Sequence, residues 1–154
     1  MNNIVVKEIT QLREKIAEFK NDKIAEDKFK HFRLTRGVYG QRQAGVQMVR
    51  IKLPFGTVSA RQLETIAKLS KQFAGGNLHL TTRQNIQLHF VKLSDTPKIW
   101  EELAKSDVTI RESCGNTVRG ITTSPTAGID PEEPFDVSPY ADQVFRFFLR
   151  NPIC

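Results

Sequence analysis

The sequence predicts an α+β fold, a sheet with helices packed on one face, because strand patterns alternate with helical ones. Three stretches alternate apolar and polar residues with the period of a half-buried strand: 46–53, 77–81 and 86–93. Helical stripes at 59–73 and 97–104 separate them, and a short apolar run at 108–110 follows. The order from 46 to 110 is therefore β-α-β-β-α-β, the split arrangement of a ferredoxin-like half-domain.

The N-terminal part, residues 1–45, is predicted as a helix followed by a connector. Apolar residues recur every three or four positions within 5–19, which indicates an amphipathic helix. Residues 20–30 are charged and poor in large apolar side chains, so we interpret them as a connector. The glycines within 33–45 favour a loop there.

The half-domain, residues 46–110, carries turn and cap signals where its elements should end. Pro54 and Gly56 end the first strand, and Ser59 with Gln62 forms a capping-box pattern. The helix after it has this apolar stripe: Leu63, Ile66, Ala67, Ser70 and Phe73. Gly75 and Gly76 stop that helix.

The stretch from His79 to Phe90 should give two strands joined by a turn, with unusual side chains on the outer face. Alternation places three residues toward the core: Ile86, Leu88 and Phe90. Gln87 and His89 then face away from the helices, as do Met48, Arg50 and Lys52 on the first strand. With Arg83 in the turn, this face is predicted to be a basic platform suited to a planar anion.

Residues 111–154 differ in composition from the half-domain that precedes them. Small, hydroxyl, glycine and proline residues dominate up to about residue 136, which allows the backbone to approach a bulky ligand or forms an ordinary surface loop. A last helix begins at Ser138 and Pro139, with an expected inner face of four residues: Tyr140, Val144, Phe147 and Phe148. Its aromatic surface exceeds what a terminal helix buries, so we expect the natural polypeptide to continue.

Composition limits the function classes without choosing one. The chain has 154 residues and a net charge of +6, which suits a nucleic acid, a membrane surface or a polyanionic small ligand. It lacks a membrane-length apolar run and a secretory signal pattern, so a cytoplasmic protein is expected. Its two cysteines, Cys114 and Cys154, are not at metal-site spacing, and Cys114 is expected to be a small buried residue.

Three motifs in order resemble the N-terminal half of the sirohaem-dependent nitrite and sulfite reductases. They are Gly40–Gln43 leading to Met48–Pro54, then Leu80–His89, then Asn116–Arg119. The resemblance runs from about Phe32 to the end of the chain. It implies a six-electron reductase that converts nitrite to ammonia or sulfite to sulfide, with sirohaem and a [4Fe–4S] cluster as cofactors. The electron donor would be a ferredoxin or a flavoprotein.

The resemblance also implies roles for individual residues. Arg50 and Arg119 resemble the arginines that line the distal pocket and contact the substrate anion. Arg83, Gln87 and His89 resemble residues that bind the sirohaem carboxylates or shape its edge. Asn116 and Arg42 are further candidates for that task, and residues 122–124 could add donors.

The resemblance is to part of a longer enzyme. The cysteine ligands of the family's cluster lie in a later segment and are absent here, as are two lysines that complete the anion site. Residues 111–154 are accordingly interpreted as the incomplete start of the catalytic domain. We expect this chain alone to be inactive.

Two other functions stay open from the residues alone. A basic ferredoxin-like sheet is also used to bind single-stranded RNA, but those sheets expose aromatic residues, and Phe90 is expected on the core side. The chain could instead be a protein-interaction domain that docks an electron donor through its basic N-terminal segment. Neither nucleic acid nor membrane is the expected partner.

Overall fold

The computed structural model describes residues 2–151, so Cys154 lies outside the described part. Its helices are α1 (Asn3–Lys20), α2 (Glu26–Leu34), α3 (Ala60–Phe73), α4 (Thr96–Ala104) and α5 (Ser138–Phe148). Its strands are β1 (Val38–Gly40), β2 (Val46–Ile51), β3 (His79–Leu80) and β4 (Ile86–Lys92). None of the helices within 2–151 is long and apolar enough to cross a membrane.

The four strands form an antiparallel sheet in the order β1-β2-β4-β3. This agrees with the predicted ferredoxin-like half-domain, apart from its last strand. Residues 108–110 contribute a single bridge, between Thr109 and Lys52, because β1 pairs with β2 along most of the same edge. The predicted loop over 33–45 was wrong at this point, since it contains β1.

The core lies between the sheet and the helices. Val49, Ile51 and Leu88 are fully buried on the sheet side, and Trp100 of α4 is fully buried opposite them. The predicted capping box begins α3: the side chain of Ser59 accepts from the backbone of Gln62, whose side chain accepts in return.

The predicted connector over 20–30 was wrong in its second half, because α2 begins there at Glu26. The helix is short and mostly charged, so periodicity gave little signal. Phe29 holds it to the body, being 1% exposed and stacked on Phe19 with ring centroids 4.4 Å apart. Tertiary packing of one aromatic residue therefore overrides a polar local sequence.

Two predicted apolar faces were wrong in detail. Leu63 of α3 is 45% exposed, and Leu69 takes a core position instead. On α5, Tyr140, Val144 and Phe147 are exposed, and Ala141 is that helix's buried residue.

Strand β4 departs from strict alternation at Phe90. Gln47 pairs with Val91, whereas Val49 pairs with Leu88, so His89 and Phe90 together oppose one residue of β2. This is a β-bulge. Phe90 has φ +58° and is 57% exposed, and Val91 is buried in the core. The predicted core-facing position of Phe90 was wrong, so this sheet exposes an aromatic ring, as RNA-binding sheets do.

Candidate anion-binding site

The segment 113–123, called the crossing segment below, lies across the ends of β2 and the β3–β4 turn. At its start, Ser113 Oγ lies 2.7 Å from the carbonyl oxygen of Arg50 and 2.8 Å from that of Ile110, and these two acceptors share its one proton. Further along, the Phe55 N–H donates to the carbonyl of Ile121 at 3.0 Å. These bonds hold a segment without regular secondary structure against the sheet.

The turn that carries Arg83 is held by two amide side chains. Asn85, 3% exposed, accepts from the Leu53 N–H at 2.9 Å and donates to the carbonyl of Arg83 at 3.0 Å. Gln84 Nε2 donates to the carbonyl of Thr123 at 3.0 Å. The turn is thus tied both to the end of β2 and to the crossing segment.

Three arginines that come from different elements act on one buried thiol. Burial raises the pKa of Cys114, and Arg50, Arg119 and Arg83 each oppose that rise electrostatically. Hydrogen bonds join two of these arginines to the residues on either side of Cys114: Arg50 through its carbonyl oxygen to Ser113, and Arg119 through its Nε to Gly115. Arg50 comes from β2, Arg83 from the β3–β4 turn and Arg119 from the crossing segment, where its Nε donates to the Gly115 carbonyl at 3.2 Å.

A polar row crosses three strands on the face away from the helices. Arg50 pairs in register with Gln87, and Gln87 pairs with His79. With the Gln87 amide oriented so that both its atoms find partners, its oxygen accepts from Arg50 Nη2 and Nε at 2.6 and 3.0 Å. Its nitrogen then donates to His79 Nδ1 at 3.0 Å and to His89 Nε2 at 3.3 Å.

The row fixes the direction in which Arg50 presents its guanidinium. Gln87 is 6% exposed, so its amide is a rigid acceptor for the Arg50 fork. Burial, and then the neighbouring His79, lower the pKa of His89. This favours a neutral His89 imidazole, whose Nε2 lone pair accepts from Gln87. The sequence predicted Gln87 and His89 on this face, but His79 was not assigned.

Lys52 lies two residues after Arg50 and was also not assigned from the sequence. Its side chain is covered: the residue is 3% exposed and Nζ donates to the Val118 carbonyl at 2.8 Å. Burial lowers the pKa of Lys52 to about 8. Strand alternation placed it on the outer face, but it could not show that the crossing segment covers that part of the face.

The remaining candidates lie at the margin of this region. Arg42 is exposed in the β1–β2 turn, which precedes the start of β2, whereas Arg50 lies near the end of that strand. Asn116 is exposed on the crossing segment between Gly115 and Thr117, close in sequence to Arg119. In the described structure, neither has a side-chain hydrogen bond to the polar row.

Neither a metal site nor the cleft found in the described structure involves the arginines. No group of three or more His, Cys, Asp and Glu residues within 2–151 could hold a metal ion. A cleft of about 670 Å³ lies between α3, the β3–β4 turn and residues 123–127. Leu53, Leu63 and Leu80 line it, and Arg50, Arg83 and Arg119 do not. The candidate site is therefore an open charged face and not this cleft.

A cluster of buried ion pairs joins the two ends of the chain beneath the crossing segment. Arg150 donates to both carboxylate oxygens of Glu8, at 3.1 and 2.9 Å. Glu112, 1% exposed, accepts from Arg111 Nε at 3.1 Å and from the Arg150 N–H at 2.9 Å. The cluster links α1, the end of α5 and the residue before Ser113.

Comparison with known proteins places the sheet in one family. Residues 39–106 match the model of the nitrite/sulfite reductase ferredoxin-like half domain. Over 127 residues the chain is 39% identical to an assimilatory ferredoxin-dependent nitrite reductase from Haloferax mediterranei, which covers 75% of this chain and 22% of that protein. Over 105 residues it is 34% identical to a sulfite reductase [ferredoxin] from Mycolicibacterium paratuberculosis, covering 68% of this chain and 19% of that protein.

A solved structure has the same fold. The Mycobacterium tuberculosis NirA protein superposes with a TM-score of 0.79 at 26% sequence identity, covering 85% of this chain and 27% of that one. The chain spans about a fifth of the length of the curated relatives that it matches. The family match over residues 39–106 includes the strands that carry the polar row.

Proposed function

The chain belongs to the nitrite/sulfite reductase family, in its N-terminal half, and from this premise we propose that it supplies part of the sirohaem and anion site of such a reductase. The reaction would reduce nitrite to ammonia or sulfite to sulfide. The observation that carries the proposal is that hydrogen bonds tie the elements carrying three arginines together: the Arg50 carbonyl to Ser113, Arg119 to Gly115, and the Arg83 carbonyl through Asn85 to the end of β2.

The side chains present suit a tetrapyrrole that carries many carboxylates. Arginine keeps its charge and binds a carboxylate through two parallel N–H donors, so several arginines on a fixed sheet can offset buried negative charge. Arg83 and the polar amide of Gln87 are the proposed carboxylate and edge contacts, with His89 beside them. When bound, sirohaem supplies the iron at which the substrate is reduced.

Arg50 and Arg119 are the proposed anion-binding residues. Both are cations, and Arg50 is aimed by its fork on Gln87. Positive charge that is already oriented lowers the free energy of an oxyanion without reorganisation of the site. Oxygen leaves the substrate as water, so proton donors are also needed near the arginines.

The iron–sulfur cluster does not fit this chain alone. A [4Fe–4S] cluster takes four cysteine thiolates, and the sequence contains two cysteines. We therefore propose that the cluster ligands come from outside these residues, and that the isolated chain does not turn over. A ferredoxin is the proposed donor, because the named relatives are ferredoxin-dependent enzymes.

The experiment that tests this proposal is the absorption spectrum of the reductase carrying this chain, prepared from cells that make sirohaem. We expect a sirohaem spectrum that shifts when nitrite or sulfite is added, and the ratio of turnover rates identifies the substrate. Arg83→Ala should lower sirohaem content, whereas Arg50→Lys should keep the cofactor and slow turnover. A colourless protein would contradict the proposal.

The second candidate is a single-stranded nucleic acid-binding module. It is favoured by one observation, the exposed ring of Phe90 on a chain of net charge +6. Salt-dependent binding of an oligouridylate by a chain that binds no porphyrin would support it over the reductase.

A further inference from the structure

Phe90 has a backbone conformation that bulky residues rarely adopt. Its φ is +58°, in the left-handed region where a side chain is strained. It lies at the β-bulge, where the register between β2 and β4 shifts. Such conformations persist where the surrounding structure holds them, and they are concentrated at ligand sites.

A side chain from the β1–β2 turn holds the bulge in place. The Phe90 N–H donates to Gln41 Oε1 at 2.6 Å. Gln41 is itself fixed at the start of the β1–β2 turn, since its N–H donates to the Val46 carbonyl at 3.2 Å. The bulge is thus held by a specific contact between β4 and the β1–β2 turn, and it is not a frayed strand end.

The bulge turns an aromatic ring out of the core and places it beside the polar row. In a regular strand, the position after His89 would point inward, and here Val91 fills the core instead. The Phe90 ring is 57% exposed, and its centroid lies 6.3 Å from that of His89. His89 in turn contacts the amide of Gln87 that aims Arg50.

We propose that Phe90 is a ligand-contacting residue whose ring packs against the macrocycle of a carboxylated tetrapyrrole. This inference rests on the proposed function and adds an apolar contact to its charged ones. Arginines can bind the carboxylates at the rim of such a ligand, but they do not cover its flat apolar body. An exposed aromatic ring next to His89, at the margin of the polar row, provides that surface.

The test is a fluorescence titration of the 154-residue chain with uroporphyrin, a porphyrin that carries carboxylate side chains. Phe90→Gly is the informative variant, because glycine accepts φ +58° without strain and the protein should stay at least as stable. We expect its affinity for uroporphyrin to fall roughly tenfold, the usual size of a lost aromatic contact.

The matched control is Phe135→Gly. That ring is 60% exposed, its centroid lies 5.8 Å from that of Tyr140, and it belongs to a segment that carries none of the three arginines. We expect its affinity to match wild type. Arg83→Ala should also weaken binding, by loss of charge, and the weakening should shrink at high salt.

The outcomes separate this inference from the function on which it rests. If the wild-type chain binds no uroporphyrin, the proposed cofactor site is wrong for these residues. If wild type binds it and Phe90→Gly binds equally well, the inference alone is overturned. If Phe90→Gly loses oligouridylate binding and keeps porphyrin binding, the ring serves a nucleic acid instead.

Discussion

Lys52 Nζ donates to the carbonyl oxygen of Val118 at 2.8 Å, which joins the end of β2 to the residue before Arg119. The ammonium group is buried among peptide carbonyls and the ring of Phe145, whose centroid is 5.5 Å away. It has no salt-bridge partner in the described structure. A buried cation of this kind costs free energy in the folded state, and that cost depends on pH.

The stability of the chain should therefore rise between about pH 8 and pH 10.5. Burial lowers the pKa of Lys52 to about 8, whereas its ordinary value is 10.5. Above pH 8 the folded state releases the proton and the unfolded state keeps it, so raising the pH favours folding. This gain is complete above pH 10.5 and is lost as the pH falls through about 8. It should amount to on the order of 2 kcal/mol in the free energy of unfolding.

Urea unfolding at several pH values measures this effect, with Lys52→Met and Lys52→Arg as comparisons. Neither variant has a group that titrates in this interval at position 52, so the difference from wild type isolates the lysine. Parallel curves for wild type and Lys52→Met would show that the ammonium is not buried as described.

Gly37→Ala should be strongly destabilising, because a Cβ there has no space. It would lie 2.4 Å from Ser113 Oγ and from the Ile110 carbonyl, and 2.9 Å from the Arg50 carbonyl, at φ +68°. We expect a loss of about 3 kcal/mol or more in the free energy of unfolding, from backbone strain and from displacement of the crossing segment.

Gly75→Ala provides the matched control for that substitution. Its φ is +66°, nearly the same, but nothing lies within 4 Å of the added Cβ. It should lose only about 1 kcal/mol, the cost of the backbone conformation. Equal losses at the two glycines in urea unfolding would show that Ser113 does not pack closely under β2.

The strands and the long helices were predictable because their signals are local. Periodicity located β2, β4, α3 and α4, and the capping box located the start of α3. Strand β1 and helix α2 were not predictable from local periodicity. β1 exists because three residues pair with β2, and α2 exists because Phe29 packs on Phe19. Both depend on contacts between segments far apart in the sequence.

The candidate site was predictable to the extent that it follows strand alternation. Arg50 and Gln87 were placed on one face by their positions, and the structure pairs them in register. Phe90 was predicted on the wrong face because the β-bulge reverses the alternation of side chains after His89. The bulge is held by Gln41, which lies in the β1–β2 turn. Lys52 was missed because its burial results from the crossing segment and α5, not from its own strand.

The ion pair between Glu8 and Arg150 should be strongly coupled. Both guanidinium contacts are within 3.1 Å, and the Glu8 side chain is 11% exposed. A double-mutant cycle with Glu8→Gln and Arg150→Met should give a coupling of about 1 to 3 kcal/mol in the free energy of unfolding.

The exposed pair Arg146 and Asp142 is the control for that cycle. Its Nε–Oδ2 distance is 2.6 Å, but the arginine side chain is 74% exposed, so solvent screens the pair. Its coupling should be too small to resolve. A Glu8–Arg150 coupling equally small would mean that the two ends of the chain are not held together by this contact.

The polar row makes a prediction for the pKa of His89. Burial lowers that pKa first, and the neighbouring His79 lowers it further, because two protonated imidazoles repel each other. Replacing His79 by asparagine removes the second cause and leaves the first. The pKa of His89 should therefore rise toward its ordinary value of 6.5 without reaching it.

Proton NMR titration of the imidazole Hε1 signals measures this change. The row also has a cation at its other end, Arg50, which forks onto Gln87 and is unaffected by the substitution. Protonation of His89 removes an acceptor for the Gln87 amide, so acid should loosen the orientation of Arg50. An unchanged His89 titration in His79→Asn would show that the two rings do not share the amide, and that Arg50 is aimed without them.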